Sequence, residues 1–453
     1  MAPLKRIAGL LWLLSLRAGP ALCQNAQNAD DHSVDNAANA DDVTILTGTR
    51  PDATKYSTGS PSGSYQTPSS RITIATSSLP TDLGPLTASY TYTSELNTVT
   101  YLTGSPSTTA SGNGTASSTS TAPPRPTNTR PCNNYPELCA RKYSNITHIG
   151  CHNSPFVRAG SAAANQQFPT VDQLNDGVRF LQAQMQWPVN GTTPHLCHTS
   201  CDLLDAGPLT NWLRQVRDWV AAHPYDVVTL LLGNGNYSNP EKYVRAIEDS
   251  GIKQFVYTPS VVPMAVDDWP TLGQMILSGQ RVVMFLDYMA NQTAYPWLMD
   301  QFSQMWESPF DPVDTAFPCT VQRPPDLKPE EARRRLYMMN HNLNVEVSLL
   351  GQAILVPAVS QLNVTNGVEG VGSLGMAANN CRTDWGRAPN ILNVDYYNFG
   401  SFPGSVFEVA AMMNNVSFER RPCCGPEANA GLKVEVVRSF VWMGLAWMGW
   451  MLV

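Results

Sequence analysis

The chain has 453 residues, enough for one large domain with appendages. It carries 29 lysines and arginines against 36 aspartates and glutamates, a net charge of −7. A charged fraction of 14% with that sign excludes the basic footprint of a nucleic-acid binder.

In chain order, residues 1–23 begin with Lys5 and Arg6, continue through an apolar run from Ile7 to Leu16 and end on Ala21-Leu22-Cys23. This is the layout of a secretory signal, and Arg17 cuts the apolar core too short to span a membrane. Asn-x-Ser/Thr triplets at Asn113, Asn145, Asn190, Asn236, Asn291, Asn363 and Asn415 agree with a secreted glycoprotein. In that compartment cysteines pair. Close spacing suggests Cys132 with Cys139 and Cys197 with Cys201, while Cys319 with Cys381 would tie two later loops together. Cys151, Cys423 and Cys424 are left unassigned.

Residues 24–130 are rich in Ser, Thr, Pro, Gly, Asn and Ala and poor in large apolar side chains. Such a stretch buries too little surface to offset its ordering entropy, so a disordered stalk is expected, O-glycosylated where Ser and Thr are densest. A weak echo links Val43–Thr49 with Val99–Ser105 and leaves room for short β pairing. Composition changes near Cys132, and 131–424 reads as one domain. Candidate strands are Thr147–Cys151, Val178–Gln184, His195–His198, Val227–Leu232, Phe255–Tyr257, Val282–Asp287, Leu336–Asn340 and Ile391–Asp395. Leu209, Trp212, Leu213, Val216, Trp219 and Val220 recur at helical spacing, predicting a helix over Leu209–Ala222. A second, charged helix is expected at Pro329–Arg335. Strand and helix alternating about eight times predict an α/β fold, a closed (β/α)₈ barrel. An open doubly wound sheet competes, but no Gly-rich phosphate loop follows any strand.

Residues 425–453 combine small residues at Asn429-Ala430-Gly431, a short spacer and the uncharged apolar tail Ser439–Val453. That order matches a glycolipid-anchor signal better than a transmembrane helix, since the tail is only about fifteen residues long.

Chemistry is concentrated in His152-Asn153-Ser154, in Gly177 to Gln184 and in the turn at His198. Both histidines follow short apolar runs. If those runs are neighbouring parallel strands, His152 and His198 project from one edge, as a general base and a general acid require. His341 in Asn340-His341-Asn342 is a secondary candidate. Asp287 reads either as a substrate-binding group or as a loop cap. No zinc spacing and no Gly-x-Ser-x-Gly elbow appears, so zinc hydrolase and serine esterase chemistry are poorly supported.

With His152-Asn153-Ser154, the Asp172–Gln182 stretch, the His198 turn and Pro389–Asp395, the chain resembles the X domain of phosphatidylinositol-specific phospholipase C, in particular its fungal phospholipase C-like phosphodiesterases. The resemblance covers roughly 132–420 and implies a (β/α)₈ barrel. It implies His152 as base on the hydroxyl beside the phosphate and His198 as acid on the leaving oxygen. Asp395 is implied as the carboxylate that orients His152. The family meets the phosphate charge with calcium on acidic residues of strand two or with an arginine there. Here those inward positions hold Gln182 and Gln184. Two neutral amides with Asn153 do not make a calcium site, so no metal and no cofactor is expected. Asn153, Gln182, Gln184, His341 and Asp287 are then candidates for binding substrate. The expected partners are a phospholipid or inositol-phosphate-containing substrate and, through the lipid anchor, a membrane; nucleic acid is not expected. The alternative is a catalytically impaired barrel serving as a cell-surface binding or wall glycoprotein.

Overall fold

The computed structural model describes residues 65–66, 70–74, 132–157, 161, 164–349, 352–401 and 404–418, all within one compact unit. The expected signal at 1–23, most of the expected stalk, Cys423, Cys424 and the tail 425–453 lie outside the described residues.

Eight parallel strands form the frame. They are β1 (His148–Cys151), β2 (Phe180–Gln186), β3 (Val228–Gly233), β4 (Val282–Leu286), β5 (Met299–Asp300), β6 (Met305–Glu307), β7 (Leu336–Asn340) and β8 (Ile391–Val394). Parallel ladders join them in the order β6-β7-β8-β1-β2-β3-β4-β5. That is the cyclic order of a (β/α)₈ barrel, with β8 beside β1 as expected. The circuit is open at one seam: β5 passes to β6 through the single turn Gln301–Gln304 rather than across a ladder. β3, β4 and β7 are fully buried and mostly apolar, as strands covered on both faces must be.

The helix Leu209–Ala222 buries Leu209, Trp212, Leu213, Val216, Trp219 and Val220, the stripe its spacing predicts. Its indoles also find polar partners, Trp212 Nε1 donating to Thr170 Oγ1 and Trp219 Nε1 to Asn175 Oδ1, each at 2.8 Å. All three expected disulfides form: Cys132–Cys139, Cys197–Cys201 and Cys319–Cys381. Cys151 is buried and free.

Four expectations are corrected. His195–His198 is not a barrel strand. It pairs antiparallel with the end of β2, Met185 opposite Leu196, and with Leu204–Pro208, so it forms a ribbon above the sheet. Phe255–Tyr257 is not a strand either; a 3₁₀ turn occupies Ile252–Phe255 and only Val256 bridges to Val282. The missing barrel strands are β5 and β6, only two and three residues long and too short to show a period. Thirdly, part of the presumed stalk is docked. Ile72 and Thr73 pair antiparallel with Val262 and Val261, and Arg71 salt-bridges Asp268. The helix after Lys328 is also shorter than read, Pro329–Ala332.

Candidate active site

The site is built where β8 and β1 end side by side. His152 follows β1, and its backbone N–H donates to the Val394 carbonyl of β8 at 2.9 Å. Its Nδ1 meets Asp395 Oδ1 at 2.8 Å. Asp395 is 2% exposed, and Asn165 Nδ2 donates to the same Oδ1 at 3.1 Å. Gln166 Nε2 bridges the carbonyls of His152 and Val394 at 2.9 and 3.0 Å, locking the two strand ends together. Asn153 takes a left-handed backbone, φ 49°, a region Asn tolerates. Its Nδ2 lies 3.2 Å from His152 Nε2. With Nδ1–H donated to the carboxylate, Nε2 carries the lone pair, the tautomer a base needs, and accepts from Asn153 Nδ2. Ser154 secures the loop, its Oγ donating to Gln173 Oε1 at 2.6 Å.

His198 arrives from the ribbon rather than from a barrel strand. The Cys197–Cys201 disulfide closes its turn, and its ring packs at 5.1 Å on Phe156, four residues beyond His152. Topologically this differs from the reading of two parallel strand ends, yet it brings His198 against the His152 loop.

The remaining candidates divide. Gln182 points into the barrel, where Asn393 Nδ2 donates to its Oε1 at 2.8 Å. Gln184 lies over Gly233, where an added Cβ would stand 2.2 Å from its Oε1; only glycine leaves room for that amide. These residues do not fit a calcium ion: both strand-two side chains are neutral, and the Gln182 oxygen is already accepting. No group of three His, Cys, Asp or Glu side chains that could hold a metal occurs among the described residues. Arg179 turns away toward the opposite end, chelated by Asp226 and the Leu174 and Val178 carbonyls. His341 is buried, bonded through Nε2 to the Thr365 carbonyl at 2.9 Å and packed on Phe317 at 3.6 Å. Burial lowers its pKa to about 3, so it is a neutral structural residue. Asp287 is a loop cap, its Oδ1 accepting from the Asn234 and Tyr288 N–H groups at 2.6 and 2.8 Å. Burial pushes its carboxyl up to about 7, against the pull of the Asn234 N–H and of Arg323.

Sequence reading missed a buried ion pair on the far wall. Glu307, the last residue of β6, is 0% exposed, and Arg323 Nε donates to its Oε2 at 2.9 Å. The Arg323 guanidinium lies over Phe310 and Phe302, at 4.3 and 5.3 Å, and its Nη1 donates to the Tyr288 hydroxyl at 3.2 Å. Burial works against that charge, but Glu307 outweighs it and the guanidinium's pKa is raised. A chain of amides joins this pair to strand two: Asn340 Nδ2 donates to Glu307 at 3.3 Å, and Asn393 Nδ2 donates to both Asn340 Oδ1 and Gln182 Oε1. Asp311 is a further titratable group near this wall. Burial raises its pKa, while Arg323 and then His152 act in the opposite direction, so it lies within electrostatic reach of both. The only signal in the sequence was weak: a lone Arg before Pro324 and a lone Glu after Trp306.

A parallel eight-stranded barrel carrying a carboxylate-held histidine at its C-terminal end is the frame of a phospholipase C-like protein. The model of the PI-PLC X family matches residues 138–414, and the chain belongs to that family. An uncharacterized secreted protein of Arthroderma benhamiae is 52% identical over 338 residues, 75% of each chain. The PI-PLC X domain-containing protein 1 of the same fungus is 36% identical over 287 residues, 63% of this chain and 90% of that one. Among solved structures, phosphatidylinositol-specific phospholipase C from Listeria monocytogenes superposes with TM-score 0.40 at 13% identity, covering 62% of this chain and 96% of that one.

Proposed function

We propose that the chain is a secreted phosphoric diester hydrolase that cleaves a phospholipid or glycosylphosphatidylinositol-like phosphodiester by acid–base chemistry. The observation that carries this reading is the 2.8 Å contact between His152 Nδ1 and the buried Asp395. In the proposed step, His152 Nε2 removes the proton of the hydroxyl beside the phosphate, that oxygen attacks phosphorus, and the bond to the leaving group breaks. His198 protonates the departing oxygen, and Asp395 stabilises the imidazolium formed on His152. Arg323 stands in for the missing strand-two charge: two of its five N–H donors are not used by Glu307 or Tyr288 and can meet a phosphoryl oxygen. Asn153 and Gln182 complete the polar floor. Substrate at a membrane surface and an extracellular location follow from the same reading, and the 425–453 tail would be exchanged for a lipid anchor.

A second reading, a binding barrel without turnover, is favoured by the neutrality of Gln182 and Gln184. One assay separates the two. Full-length protein is given phosphatidylinositol vesicles with chelator present, beside His152→Ala. The hydrolase reading expects turnover that survives chelation and falls at least about 10²-fold in the variant. Equal background rates in both would leave only the binding barrel.

A further inference from the structure

Residues 65–66 and 70–74 of the presumed stalk dock on the barrel, and Tyr65 reaches the turn at the open seam. The ring of Tyr65 packs edge-on at 4.9 Å against Phe302, inside the turn that carries the chain from β5 to β6. It also packs at 5.7 Å against Tyr288, two residues beyond β4. Gln66 donates from Nε2 to the Ala290 carbonyl. Farther along, Ile72 and Thr73 add a short antiparallel ladder to Val261 and Val262, the Ile74 N–H donates to the Ser260 carbonyl at 2.9 Å, and Arg71 holds Asp268. The segment is thus fastened at both ends.

Its upper end meets the machinery proposed above. The hydroxyl of Tyr65 is hydrogen-bonded to that of Tyr288. The Tyr288 oxygen in turn accepts from Arg323 Nη1 at 3.2 Å. The ring that carries this oxygen is wedged between Tyr65, Phe302 and, at 4.9 Å, Tyr237. Tyr65 therefore braces the residue that braces Arg323. The Gln301–Gln304 turn crosses the seam at this level, its Gln301 side chain donating to Glu307, and so does Arg323, which joins Glu307 at the end of β6 to Tyr288 beyond β4.

We propose that residues 65–66 and 70–74 are a working part of the barrel: Tyr65 covers the turn that joins β5 to β6 at the seam and, through Tyr288, is a positioning residue for the Arg323 guanidinium. The catalytic unit then begins inside the presumed stalk, 67 residues before Cys132. The inference rests on the phosphodiesterase reading only for its effect on rate, not for the seating of the strap.

Full-length protein is compared with Tyr65→Phe, which deletes only the hydroxyl, and Tyr65→Ala. Hydrogen exchange at Tyr288–Ala290 and Gln301–Glu307 reports the seam. Turnover of phosphatidylinositol vesicles reports the positioning. The expected result is exchange about tenfold faster at both stretches in Tyr65→Ala, with near wild-type exchange in Tyr65→Phe. Alongside it, kcat falls about fivefold in Tyr65→Phe at unchanged KM, and further in Tyr65→Ala, as the loss of one buried hydrogen bond predicts. Unchanged exchange in Tyr65→Ala overturns the strap. Faster exchange with turnover equal to or above wild type overturns the positioning role and makes the segment a cover instead. If wild-type protein turns over no phospholipid, the hydrolase reading and the role in positioning fall together, while exchange still decides whether the strap covers the turn at the seam.

Discussion

At the scale of single residues, the same side chain means different things according to what surrounds it. His152 and His341 both follow a barrel strand. His152 faces a carboxylate from a half-buried position, whereas His341 spends its Nε2 on the Thr365 carbonyl deep in the protein. Their sequence contexts, His-Asn-Ser and His-Asn-Leu, do not distinguish them; the difference lies in Asp395 and Thr365, far away in the chain. The His341 environment has a consequence for stability. Its pKa, about 3 when folded, lies below the ordinary 6.5, so the unfolded chain binds the extra proton between those values. Stability from this group is complete above pH 6.5 and is lost as pH falls toward 3. His341→Gln, which keeps an amide donor, should flatten the loss of denaturation midpoint between pH 6.5 and pH 4 relative to wild type. An unaltered pH slope in chemical denaturation would show that this histidine carries no share of acid sensitivity.

At the scale of elements, long apolar runs and the amphipathic helix Leu209–Ala222 were legible because burial writes its period into the chain. β1, β2, β3, β4, β7 and β8 were found for that reason. β5 and β6 were not, because two and three residues carry no period, and with them went Glu307 and the far wall of the site. The ribbon at His195–His198 was mistaken for a barrel strand because an antiparallel run and a parallel one look alike over four residues. Its disulfide was legible, and its role can be separated from bulk stability. Cys197 and Cys201 close a loop four residues apart, against 62 for Cys319 and Cys381, so chain entropy assigns them about 2 and about 4 kcal/mol. Replacing both Cys197 and Cys201 by Ala should therefore lower Tm less than replacing both Cys319 and Cys381, yet reduce kcat more, because His198 loses its clamp. The reverse ranking of rates would place the ribbon outside the chemistry.

At the scale of the whole molecule, the chain is a PI-PLC X barrel related to a secreted fungal protein, and the three disulfides among the described residues suit an oxidising compartment. Of the glycosylation triplets within the described residues, Asn145, Asn190, Asn236, Asn291 and Asn415 are exposed and Asn363 is half-buried, so glycans can be carried without disturbing the core. If the tail is exchanged for a lipid anchor, a bacterial phosphatidylinositol-cleaving lipase should release the protein from expressing cells. Retention on the membrane after treatment would favour a spanning tail.

The central claim is that His152 and His198 work as a base and an acid on one phosphodiester, and the dependence of kcat/KM on pH tests it most directly. Wild-type protein should give a bell on phosphatidylinositol vesicles. Residual activity in His152→Ala should lose the acidic limb, and that in His198→Ala the basic limb. A bell that keeps both limbs in either variant would contradict the account.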